Sequence, residues 1–172
     1  SRGYVEDDRL GGIDPYSSSK AGAEIIFSSF QRSFFKFKKN FGAASARAGN
    51  VIGGGDWSVD RIIPDCVRSI IKEEPVFLRN PDATRPWQHV FEPIHGYLLL
   101  AYRLFNNPSE FSGNWNFGPP LNERTTVAEL TQNFFEIIGK GSIEIDDSYD
   151  KNQHESQELQ LDCSKATNKL MW

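Results

Sequence analysis

From Tyr16 to about Phe37 the chain sets Ile26, Phe30 and Phe34 four residues apart, flanked by Ile25, Phe27 and Phe35. That spacing predicts a long helix with a broad apolar face, which has to be covered by another element. Pro15 suits its first turn, and Asn40-Phe41-Gly42 ends it. Ala43 to Ile52 then reads as a buried strand, broken by Gly53-Gly54-Gly55. Helical periodicity returns over Arg61 to Lys72, Val90 to Phe105 and Thr126 to Gly139, with strand-like runs at Pro75 to Arg79 and Trp115 to Phe117. Strands alternating with helices predict an α/β fold.

At 172 residues with 38% hydrophobic, 13% aromatic and 24% charged residues, the chain can bury a core and falls outside disordered compositions. Its net charge of -4 gives no broad attraction to nucleic acid or to an anionic membrane, so any phosphate binding has to be local. Cys66 and Cys163 lie far apart and outside any metal-ligand spacing, so they read as buried free thiols, with no disulfide framework and no metal site. Neither a membrane-length apolar run nor a signal-peptide core is present, which makes the cytoplasm the default location. The chain opens in a loop with no preceding strand and stops just after an amphipathic segment, so a piece of a longer protein is expected.

Tyr16 and Lys20 carry the most pointed chemistry. Four apart at the start of the first helix, they share one face. A phenol with a reference pKa of about 10 becomes a usable base when an ammonium beside it favours the phenolate. Alone, the spacing is that of an ordinary solvated pair. Gly53-Gly54-Gly55 lacks the Gly-Lys-Ser/Thr continuation of a phosphate loop and reads as a turn. Arg79 and Arg85 suit a pyrophosphate because guanidinium binds it in bidentate fashion, and His89, in an aromatic setting, reads as packed and hydrogen-bonded.

The surrounding segments convert these single features into a pattern. Asp14-Pro15-Tyr16-Ser17-Ser18-Ser19-Lys20-Ala21, Arg47-Ala48-Gly49-Asn50-Val51-Ile52-Gly53 and Arg85-Pro86-Trp87-Gln88-His89-Val90 follow one another in order. Together they resemble the extended short-chain dehydrogenase/reductases, and among these the NAD-dependent sugar-nucleotide epimerase/dehydratase family. Gly53-Gly54-Gly55-Asp56-Trp57 and Asn80-Pro81-Asp82-Ala83-Thr84-Arg85 are most similar to the branch that dehydrates CDP-glucose.

The resemblance implies the C-terminal part of a Rossmann-like fold with most of a small substrate-binding domain. Residues 1–55, with a return at about 89–118, would be a partial NAD-binding segment, and 56–88 and 119–172 the substrate segments. Tyr16 and Lys20 would be catalytic, and with Ala48 would meet NAD. Asn50, Arg61, Arg79, Arg85 and His154 would bind the sugar nucleotide, and Trp57 would border the same pocket or simply fill a core. CDP-glucose would lose water to give CDP-4-keto-6-deoxyglucose, with NAD regenerated and no external reductant consumed. The family also implies a homo-oligomer paired through the Tyr-Lys helix.

The 172 residues depart from the family pattern in holding no glycine-rich dinucleotide fingerprint and no Ser/Thr-Asp-Lys type segment. Met171 also stands where glycine usually precedes Trp172. The piece alone is therefore expected to be inactive. A related GDP- or UDP-sugar dehydratase or epimerase, and a non-catalytic binding module, remain open as alternatives.

Overall fold

The structure is a computed structural model that describes residues 2–146 and 158–172. In chain order its first elements are α1 (Pro15–Ser33), β1 (Ala44–Ala48), β2 (Asn50–Ile52), α2 (Ile62–Lys72) and β3 (Val76–Leu78). Then come β4 (Thr84–Arg85), β5 (Trp87–His89), α3 (Phe91–Asn106), α4 (Pro108–Phe111) and β6 (Gly113–Phe117). The last are β7 (Thr125–Thr126), α5 (Val127–Ile138), β8 (Ile143–Ile145) and α6 (Ser164–Leu170).

Three parallel pairs and one antiparallel pair organise the chain. β1 runs parallel to β6, β2 to β5 and β3 to β8, while β4 pairs antiparallel with β7. The strand expected over 43–52 is thus two strands, separated at Gly49. The Gly49 amide donates to the Phe117 carbonyl at 3.2 Å, and a Cβ there would lie 2.5 Å from the Pro86 carbonyl oxygen. Only glycine lets the chain leave β6 and join β5 at that point. α1 also stops earlier than expected. Where aromatic side chains crowd one another after Ser33, the chain tightens into a 3-10 turn at Phe35–Phe37.

Two apolar cores result. Leu100, Phe111, Trp115, Phe117, Ala166 and Leu170 form the first, between α3, β6 and α6. Cys66, Val76, Leu78 and Phe135 form the second, between α2, β3 and α5. α5 is anchored by a capping box in which the Thr126 hydroxyl accepts from the Glu129 amide at 3.1 Å and the Glu129 carboxylate accepts from the Thr126 amide at 2.8 Å. Gly139 in the left-handed region closes it.

Cys66 is buried, as the sequence implied, but Cys163 is only half-buried at the turn into α6. Burial pushes the Cys66 thiol up to about 11 and the Cys163 thiol up to about 12. Neither is a reactive thiolate near neutral pH. No helix among the described residues is long and apolar enough to cross a membrane.

The Phe117 ring, fully buried, meets Tyr97 and Trp172 edge to face at 5.4 and 5.1 Å. Phe117→Ala is expected to cost about 3–5 kcal/mol in urea unfolding, whereas Phe105→Ala, at a side chain 86% exposed, should stay within about 0.5 kcal/mol.

Candidate active site

The start of α1 is built to push two side chains outward. The Asp14 carboxylate caps the helix by accepting from the Ser17 amide at 3.0 Å and from the Ser17 hydroxyl. Those bonds hold the Asp14 carboxyl below its usual range. The Ser18 hydroxyl donates to the Gly12 carbonyl at 3.0 Å and the Ser19 hydroxyl to the Tyr16 carbonyl at 2.7 Å. A Cβ on Gly12 would meet the Ser18 nitrogen at 2.4 Å, so the loop presses directly on the helix. The small serines are spent on backbone, and Tyr16, 67% exposed, and Lys20 project past them. The Lys20 ammonium lies 5.4 Å from the centre of the Tyr16 ring.

A part-buried ion pair fixes this helix to the sheet. Arg47 on β1 donates to the Glu24 carboxylate at 2.9 Å and to the Glu6 carbonyl at 3.1 Å, and Ser45 donates to the same carboxylate at 2.9 Å. Glu24 is one helical turn beyond Lys20. Burial pushes its carboxyl up, but the bonds from Arg47 and Ser45 outweigh it and hold the group below the ordinary range. Ala48 ends β1 opposite Phe117.

Beyond β1 lies an open cleft of about 340 Å³. Asn50, Arg61, Arg79 and Arg85, chosen by sequence, all line it. Each arrives from a different place: Asn50 at the start of β2 opposite Trp87, Arg61 as the residue before α2, Arg79 just after β3, and Arg85 in β4 opposite Thr125. The Trp87 indole donates to the Thr125 carbonyl at 3.1 Å, which holds its ring at the wall. Arg79 makes an exposed ion pair with Asp60 at 3.2 Å. Three guanidinium groups on different elements thus share one concavity with the carboxylates of Asp56, Asp60, Asp65 and Asp146.

Tyr16, Lys20 and Ala48 do not line that cleft, and His154 lies outside the described residues. Trp57 is not a core residue: it is 61% exposed on the loop before α2. The His89 Nδ1 accepts from the Phe91 amide at 3.3 Å and its ring meets Phe91 edge-on, so it is hydrogen-bonded as expected, but it is exposed rather than packed because it ends β5 at the surface.

Sequence reasoning missed Phe77, Asp60, Asp65 and Asp146 on the cleft wall, where Asp56, which it had set beside Trp57 and Arg61, also stands. Alternation along β3 could have found Phe77, since Val76 and Leu78 are buried and Phe77 between them points out. Nothing local marks Asp60, Asp65 and Asp146, of which α2 brings in Asp65 and the chain before α2 and after β8 the others. Among the described residues no cluster of His, Cys, Asp or Glu could hold a metal ion.

No family model matches the chain. Over 99% of its length it is 45% identical to the CDP-glucose 4,6-dehydratase of Salmonella typhimurium, of which it covers 48%. Its fold matches a dTDP-glucose 4,6-dehydratase from Bacillus anthracis in complex with NAD, at 19% identity and a TM-score of 0.76, over the whole chain and 50% of that protein. A UDP-glucuronic acid 4-epimerase from Bacillus cereus in complex with UDP-glucuronic acid and NAD matches at 18% identity and a TM-score of 0.81, over the whole chain and 51% of that protein. The chain has the extended short-chain dehydrogenase/reductase fold. It spans about half the length of the curated relative it matches. β1 and β6 are neighbouring parallel strands, and α1 carries Tyr16 and Lys20.

The Glu24 carboxyl sits low in the folded chain, so its contribution to stability is complete above the unfolded carboxylate pKa and is lost as pH falls through the folded value. Glu24→Gln should cost about 1–2 kcal/mol at neutral pH in urea unfolding, with the pair discounted for partial exposure. The gap to the parent chain should close on acidification below the glutamate range.

Proposed function

We propose that this chain supplies the Tyr-Lys pair and the sugar-nucleotide cleft of an NAD-dependent dehydratase that converts CDP-glucose to CDP-4-keto-6-deoxyglucose. The observation that carries the reading is the convergence of Asn50, Arg61, Arg79 and Arg85 on one cleft in a chain 45% identical to a CDP-glucose 4,6-dehydratase. Those side chains would hold the pyrophosphate and sugar, with Asn50 offering both a donor and an acceptor to hydroxyls.

Tyr16 and Lys20 fit the ribose and nicotinamide end of NAD, because both heads are exposed on one helix face and the intervening serines are small and tied to backbone. The pyrophosphate of NAD finds no glycine-rich cradle within these residues. NAD, when bound, supplies the reversible two-electron acceptor for the sugar's C4. Tyr16 would take the proton of the C4 hydroxyl, and Lys20 would hold the ribose. A ketone at C4 acidifies C5, which sets up loss of water across C5 and C6.

The domain division belongs to the same reading: 1–55 with 89–118 as the cofactor part, and 56–88 with 119–172 as the substrate part. α6 runs against this division, since it lies within 119–172 but packs on the first core, against α3 and β6. Pairing of two copies through α1 is also part of it, supported by the exposure of Ile26, Phe30 and Phe34. Phe30→Glu is expected to turn a dimer into a monomer in sedimentation.

The direct test uses the protein joined to a glycine-rich dinucleotide segment. Tyr16→Phe should lower turnover of CDP-glucose by about 10²–10⁴-fold while leaving its binding unchanged. Arg85→Ala should weaken CDP-glucose binding about ten- to a hundredfold by calorimetry. Turnover of a UDP- or GDP-sugar with CDP-glucose left intact would assign the cleft to that nucleotide instead.

A further inference from the structure

The chain is acidic overall, yet from Ile25 to Gly55 it holds no aspartate or glutamate. Inside that window Arg32, Lys36, Lys38 and Lys39 alternate with Phe34, Phe35, Phe37 and Phe41. The structure gathers most of these on the turn that follows α1. Phe37 is 72% exposed, and Phe41 is exposed beside it. The groove between this turn and α4 is lined by Lys36, Lys38 and Lys39 together with Phe35, Phe41 and Pro108, and no carboxylate reaches it. Among the described residues no ion pair joins these cations to a carboxylate.

We propose that the turn from Arg32 to Phe41 docks the chain on an anionic phospholipid surface. This goes beyond the sugar-nucleotide reading and does not rest on it. Lysines interleaved with exposed aromatic rings are what such an interface takes up, with the rings entering the headgroup boundary and the ammonium groups staying at phosphate level.

Two other occupants fit less well. A second copy presenting the same patch would bring like charges together. A single-stranded nucleic acid needs open ring faces for its bases. Here the Lys36 ammonium lies over the Phe37 ring at 4.8 Å, and the Lys38 ammonium over the Phe41 ring at 5.4 Å.

The position is also compatible with catalysis. Phe41 leads into the N-terminal end of β1, whereas the cleft begins with Asn50 beyond its C-terminal end. Five strand residues at about 3.3 Å each separate the two, so a docked chain keeps its cleft open.

Flotation of the full chain with phosphatidylcholine vesicles, with and without phosphatidylglycerol, tests the proposal. Binding should require phosphatidylglycerol and weaken as salt rises. The triple variant Lys36→Gln, Lys38→Gln, Lys39→Gln should lose about fivefold in partitioning per lysine, near a hundredfold in all, while the corresponding arginine triple keeps it. Phe37→Ala, at an exposed side chain, should weaken binding without changing the circular dichroism spectrum. Equal binding to neutral vesicles, no binding to anionic ones, or a preference for single-stranded DNA over anionic vesicles at the same salt would overturn it.

Discussion

Arg47 reaches three parts of the chain at once. Its guanidinium donates to the Glu24 carboxylate on α1 and to the Glu6 carbonyl in the opening loop, while its backbone stands in β1 opposite Asn116. Asn116 returns the contact: its amide donates to the Glu6 carboxylate at 3.0 Å and its side chain to the Tyr4 carbonyl at 3.0 Å. Loop, helix and sheet are thereby fixed to one another by bonds that a charged group makes strong and directional. α1 needs this. Of its apolar residues only Ala21 is buried, and the large side chains Ile25, Ile26, Phe30 and Phe34 lie exposed, so hydrophobic burial alone does not hold the helix that carries Tyr16 and Lys20. A polar anchor one turn beyond Lys20 fixes rotation about the helix axis, which an apolar contact leaves looser.

Gly49 governs the rest of the route. β1 belongs to β6 and the first core, β2 belongs to β5, and a single residue separates the two allegiances. Any side chain there would collide with Pro86, so the strand would either stay with β6 or push β5 away. The turn carries Asn50 out of the sheet and into the cleft wall. The proline contact that restricts residue 49 thus places a predicted sugar-binding residue.

The longer helices were legible in the sequence through their 3.6-residue apolar period, whereas the four-residue α4 is too short to show one. α2, α3 and α5 begin and end within a residue or two of the periodic runs. Short strands were less so. β4, β5, β7 and β8 are two or three residues long, too short for alternation to show, and exist only because distant segments meet.

The same division runs through the site. Tyr16, Lys20, Asn50 and Arg85 were readable as members of continuous motifs, whereas Arg61 and Arg79 stood out only by residue type and position. Phe77, Asp60, Asp65 and Asp146 were not, since their meeting depends on β3 pairing with β8 and on the placing of α2 and the loop before it.

The cleft and the Tyr-Lys pair rest on different supports, which separates how they respond to damage. Arg61 and Arg79 are set by α2 and β3, which share the second core, and Arg85 by the β4–β7 pair. Tyr16 and Lys20 are set by the Asp14 cap and the Arg47–Glu24 pair on the side of the first core. Loosening Leu78 or Phe135 would shift guanidinium groups against one another while leaving the helix start as it is. A bidentate phosphate contact falls off steeply with such displacement. On the proposed reading, substrate affinity would be tied to the packing of the second core, and proton transfer at Tyr16 to the Asp14 cap and the Arg47–Glu24 pair.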